Sequence, residues 1–421
     1  MSVPKVISSD VVVVGGGPSG FAAAVSSSRL GARTLLVERY GFLGGMATAG
    51  LVNPFMVPQY RGKSLIGGIF AEIIGLLKKE NACVNGELFG QPHIAFDEEA
   101  LRSILLKKSV QHEVDLLLHS FSDGVILSGK AVKGITTVGK SGQIKVLAKV
   151  IIDATGDADI AFYAGVKCLK GREKDHMTQP ATLNFNLGGI DAGRMPSRGQ
   201  IDQMFILAKK NREIDVPRDK ILWFETTRPD ELHFNVTRIS GVDGTDVFDE
   251  TRAEVEGRRQ VEEVHRFLRA KVPGFEKSHI RAVALQVGFR ETRRISGGYI
   301  LTEKDIMDGR TFDDAIALNN YPIDIHNPKG EGTIFKPLDK PYGIPYRCLV
   351  PERIENLLVS GRCVSATHEA LSSVRIMPVC MAMGQAAGVA AALCVKKKCR
   401  PRSLDVTLLK KELLEQGAVL I

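Results

Sequence analysis

The sequence predicts an α/β fold: a Rossmann-like nucleotide-binding domain with an inserted mixed α/β domain. Three observations predict it. The stretch DVVVVGGGPSGFAAAVSSSRLGARTLLVE (Asp10–Glu38) reads strand, glycine turn, helix, strand and terminal acid in that order. The centre of the chain changes to short alternating strands around one long polar helix. The C-terminal part then returns to a buried strand, a glycine and a helix of small residues.

Each element of the opening unit has a physical role. Val11–Val14 are four consecutive valines, the pattern of a strand buried on both faces. Gly15 permits the tight turn, Gly17 lets the backbone approach a pyrophosphate, and Gly20 allows the helix to lie close to the strand. The free N–H groups of the helix start then face the diphosphate. Gly31 ends the helix, and Glu38 closes the second strand, placed to accept hydrogen bonds from an adenosine ribose. An acid there repels a 2′-phosphate and disfavours NADP.

Farther along, the glycine-rich run after Glu38 is expected to pass close to a bound group. Residues 66–79 read as a short amphipathic helix, and Asp97 caps a second helix through Lys108, giving a small helical insert over about 61–108. Segments 114–119, 124–127, 131–138 and 143–148 read as an antiparallel meander, followed by a buried strand over 149–153. These elements assign residues 1–170 to the nucleotide-binding domain, 171–340 to a substrate or cap domain, and 341–421 to the completion of the first domain. In the middle unit, 181–187, 231–239, 282–290 and 296–301 read as strands and 251–269 as a helix.

Bulk properties narrow the function. A net charge of +8 is spread along the chain, and aromatic residues make up only 6% with no basic–aromatic repeat, so no nucleic-acid partner is expected. The apolar runs are too short to predict a membrane span, and the tract 386–393 reads as a packed helix. Seven scattered cysteines predict reduced thiols and a cytoplasmic protein. Cys394 and Cys399, among lysines near the C-terminus, are not expected to act as a redox pair, and no metal-ligand spacing is present. One nucleotide fold without a second G-x-G-x-x-G points to a flavin enzyme whose substrate meets the flavin between domains.

Three further stretches carry a family resemblance: VIIDATGDADIAFYAG (150–165), GFRETRRISGGYILTEKDI (288–306) and PYRCLVPERIENLLVSGRCVSATHEALSSVRIMPVCMAMGQAAG (345–388). With the N-terminus, they resemble the FAD-dependent oxidoreductases that group with the flavoprotein part of heterodisulfide reductase A, with a glutathione-reductase-type FAD fold. The iron–sulfur segments of that subunit are absent. The resemblance implies that Gly15, Gly17, Pro18, Ser19 and Gly20 wrap the FAD pyrophosphate and that Glu38 and Arg39 serve the adenosine ribose. It places Gly44, Gly45 and Met46 beside the diphosphate and ribityl chain, and the backbone near Phe121 against adenine. Ala154, Thr155 and Gly156 would close over the nucleotide. Asp157 either orients that loop or caps the helix 158–164. Gly361 would face the ribityl hydroxyls, while Arg362 departs from the usual acid and is offered to the pyrophosphate. Met377 and Pro378 would open a helix under the flavin, its positive end stabilising the reduced anion.

For chemistry at the flavin, His368 is the first candidate base, the alternative being a histidine hydrogen-bonded to its own loop. Arg375, Arg290, Arg293 and Arg294 are candidates to grip a carboxylate or phosphate, or to pair with Glu291 and Glu369. Thr48 and Asn184 are expected near the flavin's open face, and His93 in a surface loop. The expected activity is hydride transfer between flavin N5 and a small polar anionic substrate. An electron-transfer role with a redox partner protein and a flavin-binding role without turnover stand as alternatives, and related flavoproteins suggest a homodimer.

Overall fold

The computed structural model describes residues 5–88, 90–329 and 332–420. A seven-stranded sheet forms its centre. Lys5–Val14 lies between Thr34–Val37 and Gly142–Asp153, parallel to both, and Asp115–Leu117 and Leu357–Val359 continue the parallel order on either side. Val11, Val12 and Val13 have no exposed surface, as the valine run predicts for a strand covered on both faces.

Two expectations for this sheet are corrected. Residues 114–119 were expected in the antiparallel meander, but Asp115–Leu117 is a parallel strand beside Thr34–Val37. The helix Glu98–Gln111 carries the chain back across the sheet before it, and a crossover of that kind returns a parallel strand. The strands expected at 143–148 and 149–153 are one, Gly142–Asp153. No turn residue separates Ala148 from Lys149, so its first half pairs antiparallel with Ala131–Gly139 while its last residues run parallel to Leu357–Val359.

Asp97 caps Glu98–Gln111 by accepting from the Glu99 and Ala100 amides, and Gly68–Lys79 is the other helix of the insert. Between them lies a hairpin, Cys83–Leu88 with Gln91–Phe96, so the insert is not wholly helical. His93 belongs to this hairpin rather than to a surface loop. Strand alternation turns its ring inward, edge-on to Phe224 at 5.5 Å, and burial lowers its pKa.

The helix Met377–Lys397 is apolar all round and nearly all buried. It is the one helix among the described residues long and apolar enough to cross a membrane, and its faces are covered by protein. Its glycines bring it against Pro18–Arg29 main chain to main chain. A Cβ at Gly388 would stand 2.1 Å from the Ala23 oxygen.

The middle unit is a four-stranded antiparallel sheet in the order Trp223–Glu225, Leu232–Phe234, Phe185–Gly188, His279–Val283. The helix Val247–Lys271 buries Ala253, Val261, Val264 and Leu268 in the core of this unit. That core draws on residues between Ala181 and Phe289, with Leu51 added from the first domain. Residues 301–340, read from sequence as part of the middle unit, contribute Leu301, Ile316 and Ile323 to the core of the nucleotide-binding domain instead.

Candidate active site

A cavity runs along the carboxyl ends of the parallel strands. Residues that directly follow each strand line it: Gly15 after the first, Glu38 after the second, Ser120 and Phe121 beyond the edge strand, Ala154 and Ser360 on the other side. Five parallel strands about 4.8 Å apart give a trough about 19 Å long, suited to an extended dinucleotide.

The glycine turn makes the floor. Gly17 caps the helix Pro18–Arg29 without any side-chain hydrogen bond, and no acid occupies the first turn. The helix start is therefore an uncompensated positive end facing the cavity. A Cβ at Gly17 would meet nothing nearer than the Gly45 Cα at 3.8 Å and would fill space open to a ligand. Gly44 donates its amide to the Gly16 oxygen at 2.8 Å, which brings Gly45 and Met46 to the same wall. Ser19 donates to Ser360 Oγ at 2.8 Å and ties the helix start to the C-terminal strand. A second uncapped helix start, at Met377, lines the cavity together with Cys380.

Of the residues singled out from sequence, the structure brings Gly15, Gly17, Pro18, Ser19, Glu38, Arg39, Gly45, Met46, Phe121, Ala154, Thr155, Gly156, Gly361, Arg362, Arg375 and Met377 to this one cavity. Gly20, Gly44 and Pro378 stand immediately behind it. Glu38 holds the turn itself: its carboxylate accepts from the Gly16 amide at 2.6 Å and the Tyr40 amide at 2.9 Å, and burial raises its pKa. Arg39 is exposed at the rim, where it and Tyr40 both bond Gln286 of the middle unit.

Other candidates take different positions. The Arg362 guanidinium reaches Asp157 Oδ1 at 2.6 Å and Thr292 Oγ1 at 3.2 Å, so its fork closes on protein groups at the cavity wall. Asp157 does not cap the following helix, whose cap position is Ala158 without a side-chain bond. Its carboxylate joins Arg362 to Thr292 across the two domains. His368 does not line the cavity. It is buried with Nδ1 2.7 Å from Glu291 Oε2, and the other oxygen of Glu291 receives Arg294. Arg294 also donates to the Ala366 and Gly171 oxygens, so this buried group joins the middle unit to the His368 loop. Arg293 pairs with Asp159 at 2.8 Å and covers the Phe162 ring. Thr48 is buried on the Leu43 oxygen and Asn184 donates to the Gly50 oxygen, neither reaching the cavity.

Of Arg290, Arg293, Arg294 and Arg375, the arginines expected to grip a substrate, Arg375 lines the cavity. It donates to the Arg290 oxygen at 3.2 Å and the Asp324 oxygen at 3.1 Å. Arg290 lies just behind it, held by Pro180 O at 2.7 Å, Thr182 Oγ1 at 2.5 Å and Asn235. The sequence reading missed Asp153. Its oxygens accept from Thr155 N and Oγ1 and from Ala161 N, holding the 154–156 loop, and burial with Asp159 nearby raises its pKa to about 6. An acid ending an apolar strand just before Ala154-Thr155-Gly156 was the available signal.

The residues present fit a flavin dinucleotide: two uncapped helix starts, an open face at Gly17, and an acid fixed beside the turn. A family model described as FAD dependent oxidoreductase matches residues 10–413. The chain belongs to this family. Among curated relatives, dihydrolipoyl dehydrogenase of Haemophilus influenzae is 28% identical over 193 residues, 46% of this chain and 31% of that enzyme. Leghemoglobin reductase of Vigna unguiculata is 56% identical over 36 residues, 9% of this chain and 7% of that protein. The flavoenzyme thus spans less than a third of the length of these relatives. A geranylgeranyl bacteriochlorophyll reductase-like structure from Thermoplasma acidophilum shares the fold with TM-score 0.50 and 13% identity, over 98% of this chain and 85% of that one. The p-nitrophenol 4-monooxygenase of Pseudomonas putida does so with TM-score 0.50 and 12% identity, over 98% and 87%.

Proposed function

We propose that this flavoenzyme exchanges hydride with a small polar anionic organic substrate. The observation that carries the reading is Arg375, a guanidinium lining the nucleotide cavity beside Met377 and Cys380, with Arg290 behind it. A guanidinium fork suits a carboxylate and fixes its plane as well as its position.

In this reading Gly15, Gly17 and the start of the helix Pro18–Arg29 hold the pyrophosphate, with Glu38 and Phe121 toward the adenosine and Gly361 toward the ribityl chain. FAD, when bound, supplies a two-electron acceptor or donor for hydride. The helix start at Met377 presents its positive end to the cavity and favours negative charge there. Arg375 orients the substrate. The 154–156 loop, held by Asp153, and the Arg362–Asp157–Thr292 bridge keep the two domains closed over the site and limit the entry of water.

The test is the visible spectrum of the FAD-loaded protein under anaerobic conditions, before and after hydroxy acids, amino acids, sugars and NADH. Bleaching by an anionic organic compound supports the proposal. A flavin reduced only by a partner protein transfers the reading to electron transport.

A further inference from the structure

We propose that the recess behind Arg375 is built for a substrate bearing two separated carboxylates, one seated on Arg375 and Arg290 and the other on Arg218 beside His326. The inference deepens the hydride-transfer reading, on which it rests for the identity of the ligand as substrate.

The strand Ile323–His326 sets the spacing. Its Asp324 oxygen receives Arg375 Nη2 at 3.1 Å, and two residues on, His326 Nδ1 stands 3.3 Å from Arg218 Nη1. Two residues of extended chain separate these contacts by about 7 Å. A single tetrahedral anion fills one seat at a time, whereas a diacid reaches both.

Among the described residues, the seats are short of negative charge. Arg375 lines the nucleotide cavity, and Arg290 behind it is only half-buried. Four guanidiniums, Arg375, Arg290, Arg218 and Arg238, act on one another there, and among the described residues they meet Asp324 on the same strand as His326 and Asp219 beside Arg218. Glu291 is already taken by Arg294 and His368. Burial pushes the Arg290 and Arg218 pKa values down, and for Arg290 the neighbouring Arg375 and Arg218 add like-charge repulsion. Close buried charges of one sign are costly and favour an anion between them.

The unused hydrogen-bonding groups are donors. Arg218 is only 4% exposed, and its Nε has no partner among the described residues. Gln179 is 2% exposed: its oxygen accepts the His326 amide at 3.1 Å, while its Nε2 has no acceptor among the described residues. Buried donors of this kind are ordinarily satisfied, and a carboxylate supplies the acceptors they lack. Neither Arg218, Gln179 nor His326 stands out in the sequence, because they come from three distant segments.

The experiment is calorimetric titration of the oxidised, FAD-loaded protein at fixed ionic strength. The probes are malonate, succinate, glutarate and adipate, against propionate, butyrate and inorganic phosphate. The expected result is that at least one diacid binds about tenfold or more tighter than either monoacid and than phosphate. Arg218→Gln should bring that ratio to about threefold or less while propionate affinity and flavin content stay unchanged, and Arg218→Lys should retain an intermediate ratio. If Arg218→Gln does not fold, the wild-type ratio and the lysine variant decide. Equal binding of diacids and monoacids, or phosphate binding tighter than every diacid, overturns the proposal. Tight diacid binding with no compound able to bleach the flavin leaves the two-seat recess standing and removes the hydride reading. Bleaching by a monoacid or neutral compound, with no diacid bound, does the reverse.

Discussion

Gly384 rests directly on the main-chain oxygen of Ser19: a Cβ at Gly384 would lie 2.0 Å from that atom. The same Ser19 donates to Ser360, so one residue at the start of the pyrophosphate helix is held both by the last long helix and by the last strand of the sheet.

Gly384→Ala is therefore expected to destabilise. Alanine adds about 1 kcal/mol of helix propensity, but the overlap forces two helices apart at a cost of about 1–3 kcal/mol or more. Thermal unfolding should show a lower Tm, and the absorbance at the flavin band per chain should fall with it. A variant with unchanged Tm and full flavin content would contradict the contact.

Gly17→Ala separates binding from folding. Gly17 has an ordinary φ of −66°, and its Cβ would meet only open cavity. Stability of the FAD-free protein in urea should change by no more than about 0.5 kcal/mol. FAD affinity, read by quenching of flavin fluorescence, should drop by about tenfold or more, since the methyl group occupies the approach to the pyrophosphate.

Asp153 gives a pH dependence whose sign is fixed. Its folded pKa is raised from the ordinary aspartate value of 3.8 to about 6, so between those values the native state binds more protons than the unfolded chain. Stability from this group is present at the acid side and is lost as pH rises through about 6, a change on the order of 3 kcal/mol. Denaturant unfolding of wild type and Asp153→Asn across that window should show the wild-type advantage growing toward lower pH. A difference independent of pH would remove Asp153 from the account.

His368→Ala is expected to act on the domain junction rather than on the chemistry. The substitution removes one of two neighbours of a buried Glu291 oxygen, which keeps the Gln179 amide at 3.4 Å, at a cost of about 1–3 kcal/mol in urea unfolding. The rate of flavin reduction in stopped flow should change by only about threefold or less, because the ring does not line the cavity. A loss of about a hundredfold with unchanged stability would restore His368 as the base.

What was legible in the sequence was local. Asp10–Glu38 declares itself because strand, turn, helix and acid follow within one short stretch, and the cavity floor rests on it. Gly361 and the Met377–Lys397 helix were readable for the same reason. What was not legible depends on pairing at long range. Arg362 meets Asp157 across 205 positions and Arg218 meets His326 across 108, and neither separation leaves a periodicity. The fusion of 143–148 with 149–153 was hidden because an alternating run and an apolar run look like two strands. In fact the same strand passes from a half-exposed meander into a buried parallel sheet.

Because Ser19 is clasped by Ser360 and Gly384, the pocket has no complete wall until the ribosome has released residues far beyond the middle domain. The first strand and helix wait for partners made after the middle domain, while the inserted sheet can close its own core in the interval. Cofactor loading thus follows synthesis of the Met377–Lys397 helix. A nascent chain halted before Met377 should display the glycine turn yet retain no flavin.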